Sequence, residues 1–334
     1  LGSVGKKIHT GRSRNDQVMV AMRLYTRAKL DEIQSINLQI AKSFFDKAEK
    51  HSSHPMPGYT HLQRAMPSTW GLWFGAFAES FLDNIDLIAS TQSWVNVNPL
   101  GTAAGYGVNL PIKRELSTKE LGFKRKQLNS LYVQNSRGKF ELELIGSLKQ
   151  PMLDVRKFAW DISIFLAQEF NLLSIASKYS TGSSIMPNKS NPDVIEIMRA
   201  KYAEIAGHYS ELENLISLPS GYHRDLQLTK RSLIYSTHCV TKTLSLLPDL
   251  IKSIKVNTQR SNEFIDQDML MTDRAYNLVQ SGVPFREAYV KVKSDQDPQL
   301  ITQPISRNNS SSGSAYNLEL KTIKLRLQKL TKTK

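Results

Sequence analysis

Cysteine is almost absent from this chain. Cys239 is the single cysteine among 334 residues and can close no internal disulfide, which excludes a disulfide scaffold and favours a reducing compartment. Long apolar runs are missing too. The longest, Trp70 to Ala78, ends after nine residues at Glu79, far short of the roughly 20 residues that a membrane-spanning helix needs. Glycine and proline, 17 and 13 in number, are too few for collagen-like repetition, and 40% apolar content excludes wholesale disorder. There is no Gly-rich phosphate loop of the Walker type and no His/Cys/Asp grouping at zinc-ligand spacing. Gly182-Ser183-Ser184 does not match a hydrolase nucleophile elbow. Leu1 to Gly5 lack the pattern of a secretory signal. Together these absences predict a cytoplasmic protein with no membrane partner and no bound metal.

Acidic residues are outnumbered: 44 Lys and Arg against 30 Asp and Glu leave a net charge of +14. Such an excess suits nucleic acid, an anionic membrane or a small polyanionic substrate. The basic residues are interspersed, except that residues 318–334 carry six Lys/Arg against Glu319. Neither zinc-finger spacing nor an aromatic-rich RNA-recognition pattern accompanies them, so no nucleic-acid partner is expected.

What the chain has in abundance is helical periodicity. Ile195, Met198, Tyr202, Ile205, Tyr209, Leu212 and Ile216 recur at alternating steps of three and four, the seam of a helix packed on other helices. Leu233, Thr237, Val240, Leu244, Leu247, Ile251 and Ile254 form a second seam, with a kink expected at Pro248. Val18, Met22, Tyr25, Ile33, Ile36, Ile40 and Phe44 stripe a third segment over about 16–50. Phe74, Phe77, Phe81, Ile85 and Ile88 mark a fourth, and Phe158, Ile162, Phe165 and Glu169 a fifth. Alternating strand patterns are scarce. Asn191-Pro192-Asp193 reads as a helix start, with Asn191 as cap and Pro192 in the first helical position. The expected fold is all-α, a long-helix bundle over 1–256. A small helical C-terminal domain follows at 257–300, then a divergent basic tail at 301–334. Within this tail Ser306 to Ser314 has the composition of a mobile segment.

Four polar segments are candidates for chemistry. His9-Thr10-Gly11-Arg12-Ser13-Arg14-Asn15-Asp16-Gln17 precedes a long helix, where two Arg and one Asn could cradle a carboxylate; a capped, solvated helix start explains it as well. Gly58-Tyr59-Thr60-His61-Leu62-Gln63 offers His61 as a general acid or base, or as a structural donor at a helix start. In Gly182 to Pro192, Lys189 lies close to Ser183 and Ser184, and a lysine with backbone donors could lower a serine's pKa; the alternative is a polar linker. Pro219 to Lys230 places Tyr222, Gln227 and Lys230 where they could orient a polyanion or form a solvated turn.

Taken together, these segments resemble the aspartase/fumarase superfamily, and most closely its argininosuccinate lyase family. The segment His9-Thr10-Gly11-Arg12-Ser13-Arg14-Asn15-Asp16-Gln17-Val18 carries the likeness to that family. The Gly182–Pro192 stretch is similar to the superfamily's signature loop, Gly-Ser-Ser-x-x-Pro-x-Lys-x-Asn-Pro. The likeness runs from residue 1 to about 290, through Gly282-Val283-Pro284-Phe285-Arg286-Glu287-Ala288. It implies cleavage of argininosuccinate to arginine and fumarate by β-elimination, in arginine biosynthesis. Ser183 would be the base, with Lys189 and Asn191 holding the substrate carboxylate. His61, paired with Glu196, would help protonate the leaving group. Arg14, Asn15, Thr60, Tyr222, Gln227 and Lys230 fall on substrate-contacting positions. The resemblance also implies a homotetramer whose active sites are shared among three subunits, and no cofactor. Adenylosuccinate lyase, another fumarate-releasing relative or an inactive structural relative are the alternatives; Arg12 to Asp16 argues against the first.

Elementary chemistry supports the same picture. Removing a proton α to a carboxylate leaves a dianionic intermediate that water stabilises poorly, so preorganised donors are the main requirement, each worth about 3–4 kcal/mol. Three departures from the family pattern stand out. The chain opens inside the family's first motif region, so an N-terminal domain is expected to be missing. Ser190 stands where many relatives carry a second basic residue. From Asp297-Pro298-Gln299 onward the likeness fades.

Overall fold

The computed structural model describes residues 2–294 and 310–332. A short helix α1 (Gly2–Gly5) and the long α2 (Arg14–Lys50) lead into a hairpin, β1 (Pro55–Thr60) and β2 (Gln63–Thr69), which runs directly into α3 (Trp70–Val95). There follow β3 (Val97–Asn98), α4 (Arg114–Glu120), β4 (Arg125–Lys126), α5 (Ser130–Asn135) and α6 (Lys139–Phe165). The chain continues through β5 (Leu173–Ser174), β6 (Thr181–Gly182) and β7 (Ser190–Asn191) to α7 (Asp193–Leu215) and α8 (Thr229–Ser253). It ends with β8 (Lys255–Val256), α9 (Thr258–Glu263), α10 (Met271–Gln280), α11 (Phe285–Ser294) and α12 (Leu320–Lys332). Among the described residues, five helices of 23 to 37 residues carry the fold, and the strands form only two-stranded pairs. No helix among the described residues is long and apolar enough to cross a membrane. The Ser306–Ser314 expectation falls partly on residues 295–309, outside the described residues.

The chain divides into two compact units. The first comprises Leu1–Ile40, Ser80–Ala159 and Val194–Pro248. Its core is built from the expected stripes: Phe81, Ile85 and Ile88 of α3, Phe158 of α6, Ile195, Met198, Ile205 and Leu212 of α7, and Leu233, Thr237, Val240, Leu244 and Leu247 of α8 are buried. Side-chain pairs tie its helices together, Tyr25 Oη to Thr237 Oγ1 at 2.8 Å, Gln34 to Gln92 at 2.9 Å and Asn84 to Asp154 at 2.7 Å. The stripe on α2 is shifted by one position in its first half. Val18, Met22 and Tyr25 are half-buried, while Met19, Arg23, Thr26 and Leu30 take the buried line. Arg23 and Thr26 are polar, and hydrophobic periodicity passes over them. Arg23 stacks 3.6 Å above the Phe140 ring, and burial pushes its pKa down to about 10.

The second unit comprises Ala41–Glu79, Trp160–Asp193 and Asp249–Lys334. Its centre is aromatic: Trp70, Trp73, Phe74, Phe77 and Phe165 meet edge-to-face or tilted, and Phe44 stacks on Phe77 at 5.3 Å. The indole nitrogens inside it are satisfied, Trp70 by Ser261 at 3.0 Å and Trp73 by Asp161 at 2.9 Å. Such rings combine large apolar area with a polar edge that must find a partner. A smaller cluster joins α10 and α11 through Ala275, Ala288 and Val292.

Candidate active site

The candidate residues divide between the two units, and each group is built by local contacts. In the first unit, α2 starts at Arg14 because Ser13 caps it: Ser13 Oγ accepts the Asn15 N–H at 3.2 Å, and Asp16 Oδ1 accepts the Ser13 N–H at 3.0 Å. This is a capping box with an acid at its third position, and it holds Arg14 and Asn15 in the first helical turn. The other carboxylate oxygen of Asp16 accepts the N–H groups of Gly101 and Ala103 at 2.9 and 3.0 Å. The Gly101–Gly107 loop is therefore fastened beside the Arg14–Asn15 turn. From there Gln134 of α5 donates to Ala103 O at 3.4 Å. Its neighbour Asn135 donates to Ser220 Oγ at 3.1 Å and accepts the Gly221 N–H at 2.8 Å.

Tyr222, Gln227 and Lys230 come together. Lys230 Nζ donates to Gln227 Oε1 at 2.6 Å, and Gln227 Nε2 donates to Tyr222 Oη at 2.6 Å. An ammonium has only donors, so the lysine fixes which end of the amide faces it, and the phenol oxygen must accept. The tyrosine's own hydrogen takes no part in this chain of hydrogen bonds. Glu196, on the first turn of α7, is exposed and meets Arg199 at 3.9 Å.

In the second unit Thr60 and His61 sit at the tip of the β1–β2 hairpin. The sequence reading of His61 at a helix start is corrected here: it occupies a two-residue turn with Leu62, at φ of 54° and 58°, between the paired Thr60 and Gln63. Two successive left-handed residues make the turn that matches strand twist, though neither is glycine. A bulge between Gly58 and Tyr59 re-aims the tip. Gly58 is required there, because a Cβ would lie 2.6 Å from Met66 O. His61 is exposed, as is Thr60.

Ser183, Lys189 and Asn191 belong to one loop closed at its base by an antiparallel pair, Thr181 with Asn191 and Gly182 with Ser190. Asn191 is held extended in that pair, so it does not cap α7, and the helix begins at Asp193, one residue beyond Pro192. Asp193 instead accepts from Thr181 Oγ1 across the loop's base. Ser183 Oγ accepts two backbone N–H groups, from Met186 at 2.9 Å and Ile185 at 3.2 Å. Lys189 is exposed and makes no ion pair among the described residues. Donors aimed at an oxygen favour its anionic form, and Ser183 Oγ has two of them. Among the described residues no three His, Cys, Asp or Glu side chains are grouped to hold a metal ion.

Comparison with known proteins identifies the family. A family model described as Lyase matches residues 1–207. Argininosuccinate lyase of Stenotrophomonas maltophilia (strain R551-3) is 45% identical over 334 residues, which cover 99% of this chain and 78% of that protein. Argininosuccinate lyase of Xanthomonas oryzae pv. oryzae (strain PXO99A) is 48% identical over 289 residues, covering 86% and 67%. Among solved structures, an EDDS lyase variant with bound fumarate superposes with a TM-score of 0.85 at 21% identity, covering 99% of this chain and 74% of that one. A fumarate lyase:delta crystallin from Brucella melitensis gives 0.70 at 18%, covering 88% and 68%. These structural likenesses establish the helical-bundle fold. The family match over more than half of the chain, with 45–48% identity to these curated relatives, makes the chain a carbon–nitrogen lyase of the argininosuccinate lyase family.

Proposed function

We propose that the protein cleaves argininosuccinate to arginine and fumarate, in arginine biosynthesis in the cytoplasm, with residues 1–256 as the lyase core. The observation that carries the mechanism is the pair of backbone N–H groups converging on Ser183 Oγ. With Lys189 nearby in the same loop, these donors stabilise a serine alkoxide, which takes the proton from the succinyl carbon next to a carboxylate. The electron pair of that C–H bond forms the double bond of fumarate, and the C–N bond breaks. The leaving guanidino nitrogen keeps the bonding pair and receives a proton from His61, which pairs with Glu196. Asn191 and Lys189 hold the carboxylate on which negative charge develops. Arg14, Asn15, Thr60, Tyr222, Gln227 and Lys230 bind the rest of the substrate. No cofactor takes part.

The candidate residues lie far apart in sequence, which suits a homotetramer in which three subunits contribute to each site. The reading is tested by offering argininosuccinate and adenylosuccinate to the purified protein and following fumarate absorbance. Fumarate release from argininosuccinate alone is expected; release only from the nucleotide substrate overturns the assignment.

A further inference from the structure

The junction of α5 and α6 in the first unit holds a buried guanidinium to which the reaction above gives no part. Arg137 is 4% exposed, and neither Nη1 nor Nη2 has a hydrogen-bond partner among the described residues. Arg114 shows what a structural arginine does in this protein: it donates to Leu100 O at 2.9 Å and to Gln127 O at 2.6 Å, stapling a loop. Arg137 makes no such staple. Burial lowers its pKa, with Glu141 and Tyr222 opposing that shift. Glu141 is committed to the Gly138 N–H at 2.6 Å and also faces the buried Arg23. Two buried cations therefore act on one carboxylate, and leaving buried donors unmade is costly.

The group that Arg137 does face is the ring of Tyr222, whose centroid lies 5.5 Å from its guanidinium carbon. The neighbouring Asn135 clamps the chain just before this tyrosine through Ser220 and Gly221. Beside it Gly138, at φ of 87°, packs so close to Ile216 that a notional Cβ would stand 2.2 Å from Cγ2. One residue of the junction thus holds the backbone before Tyr222, and the next but one holds its ring. A cation over the ring face is attracted to the π cloud and draws electron density from the phenol. The phenol oxygen already accepts from Gln227, so its hydrogen is both free and made a stronger donor.

The geometry points to Arg137 as the positioning residue of Tyr222, setting affinity for the substrate's polar leaving portion and leaving the elimination step unaltered. This inference rests on the proposed role of Tyr222 in substrate binding. The test is the kcat and KM of the unaltered protein, R137M, R137K, Y222F and R137M/Y222F with argininosuccinate, alongside their melting temperatures. Loss of binding that is uniform along the reaction raises KM and leaves kcat in place. R137M is expected to raise KM about tenfold with kcat within about twofold, and R137K, which restores a cation over the ring, to recover KM to within about threefold of the unaltered protein. On the Y222F background, which lacks the hydroxyl through which Arg137 acts, R137M is expected to add less than about twofold. The inference is overturned if R137M leaves KM unchanged, if R137K and R137M are equally impaired, or if the full effect persists on Y222F. Should R137M fail to fold, R137K and R137K/Y222F decide: the inference stands if the KM rise of R137K disappears on Y222F and falls if it remains. Absence of fumarate from the unaltered protein overturns the functional reading and this inference together, whereas turnover with one of the contrary variant patterns overturns this inference alone.

Discussion

Asp16 and Gly101, 85 residues apart in sequence, are joined by a 2.9 Å hydrogen bond from the glycine N–H to Asp16 Oδ2. The same oxygen accepts from Ala103, and Oδ1 accepts from Ser13. One fully buried carboxylate thereby closes the cap of α2 and holds the loop beside it.

Replacing this carboxylate by an amide, Asp16→Asn, leaves one acceptor oxygen for three N–H groups. The unsatisfied donors cost about 1–3 kcal/mol. Thermal denaturation is expected to show a fall of several degrees, and KM for argininosuccinate is expected to rise as Arg14 and Asn15 lose their anchorage. An unchanged melting temperature and KM would show that solvent or a shifted backbone satisfies the loop.

A second expectation concerns pH. His51, buried against Phe74, places Nδ1 2.7 Å from His54 Nδ1. One ring nitrogen must donate and the other accept, so the pair tolerates only one proton between them. Burial, followed by His54, Lys47 and Lys50, pushes the His51 pKa from its ordinary 6.5 down to about 4. Between those two values the unfolded chain binds more protons than the folded one, so stability falls as pH is lowered through that window and is fully present above it. Melting temperature recorded from neutral pH down to pH 4 should show this acid limb, and the limb should be shallower in His51→Leu. An identical limb in the variant would assign the acid sensitivity elsewhere.

The hairpin tip offers a third. A side chain in the left-handed region costs about 1–2 kcal/mol, and His61 and Leu62 both occupy it. Strain of this kind is tolerated where function needs the geometry. Leu62→Gly should raise the melting temperature slightly, by about 0.5–1 kcal/mol of stability once glycine's extra chain entropy is deducted, while lowering kcat/KM because His61 is held less firmly. A fall in melting temperature would show that Leu62 is not strained.

The seams on α3 and α8 were legible from spacing alone, because the residues that recur there, Phe74, Phe77, Phe81, Ile85 and Ile88 on one and Leu233, Thr237, Val240, Leu244 and Leu247 on the other, are all buried. The start of α2 was not, since Arg23 and Thr26 lie on its buried line and only a partner such as Phe140, distant in sequence, makes a buried arginine tenable. The hairpin escaped for a similar reason. Pro55, Pro57 and Pro67 argue against strands, yet a two-stranded ladder leaves each strand one free edge where a missing N–H does no harm. The signature loop was legible as a segment with its lysine and serines, but the acceptance of two N–H groups by Ser183 follows from a turn that no spacing rule specifies. Asp16, Asn135 and Arg137 act on residues tens of positions away, and sequence carried no signal for them beyond Asp16 as an acid in a first helical turn.

The account rests most heavily on Ser183 as the base. Single-turnover and steady-state fumarate release by Ser183→Ala test this directly. The loop is exposed and water can replace the lost acceptor, so the variant should keep its melting temperature and bind argininosuccinate with little change, while kcat falls by about 10²–10⁴-fold. Turnover within a few fold of the unaltered protein would contradict the mechanism.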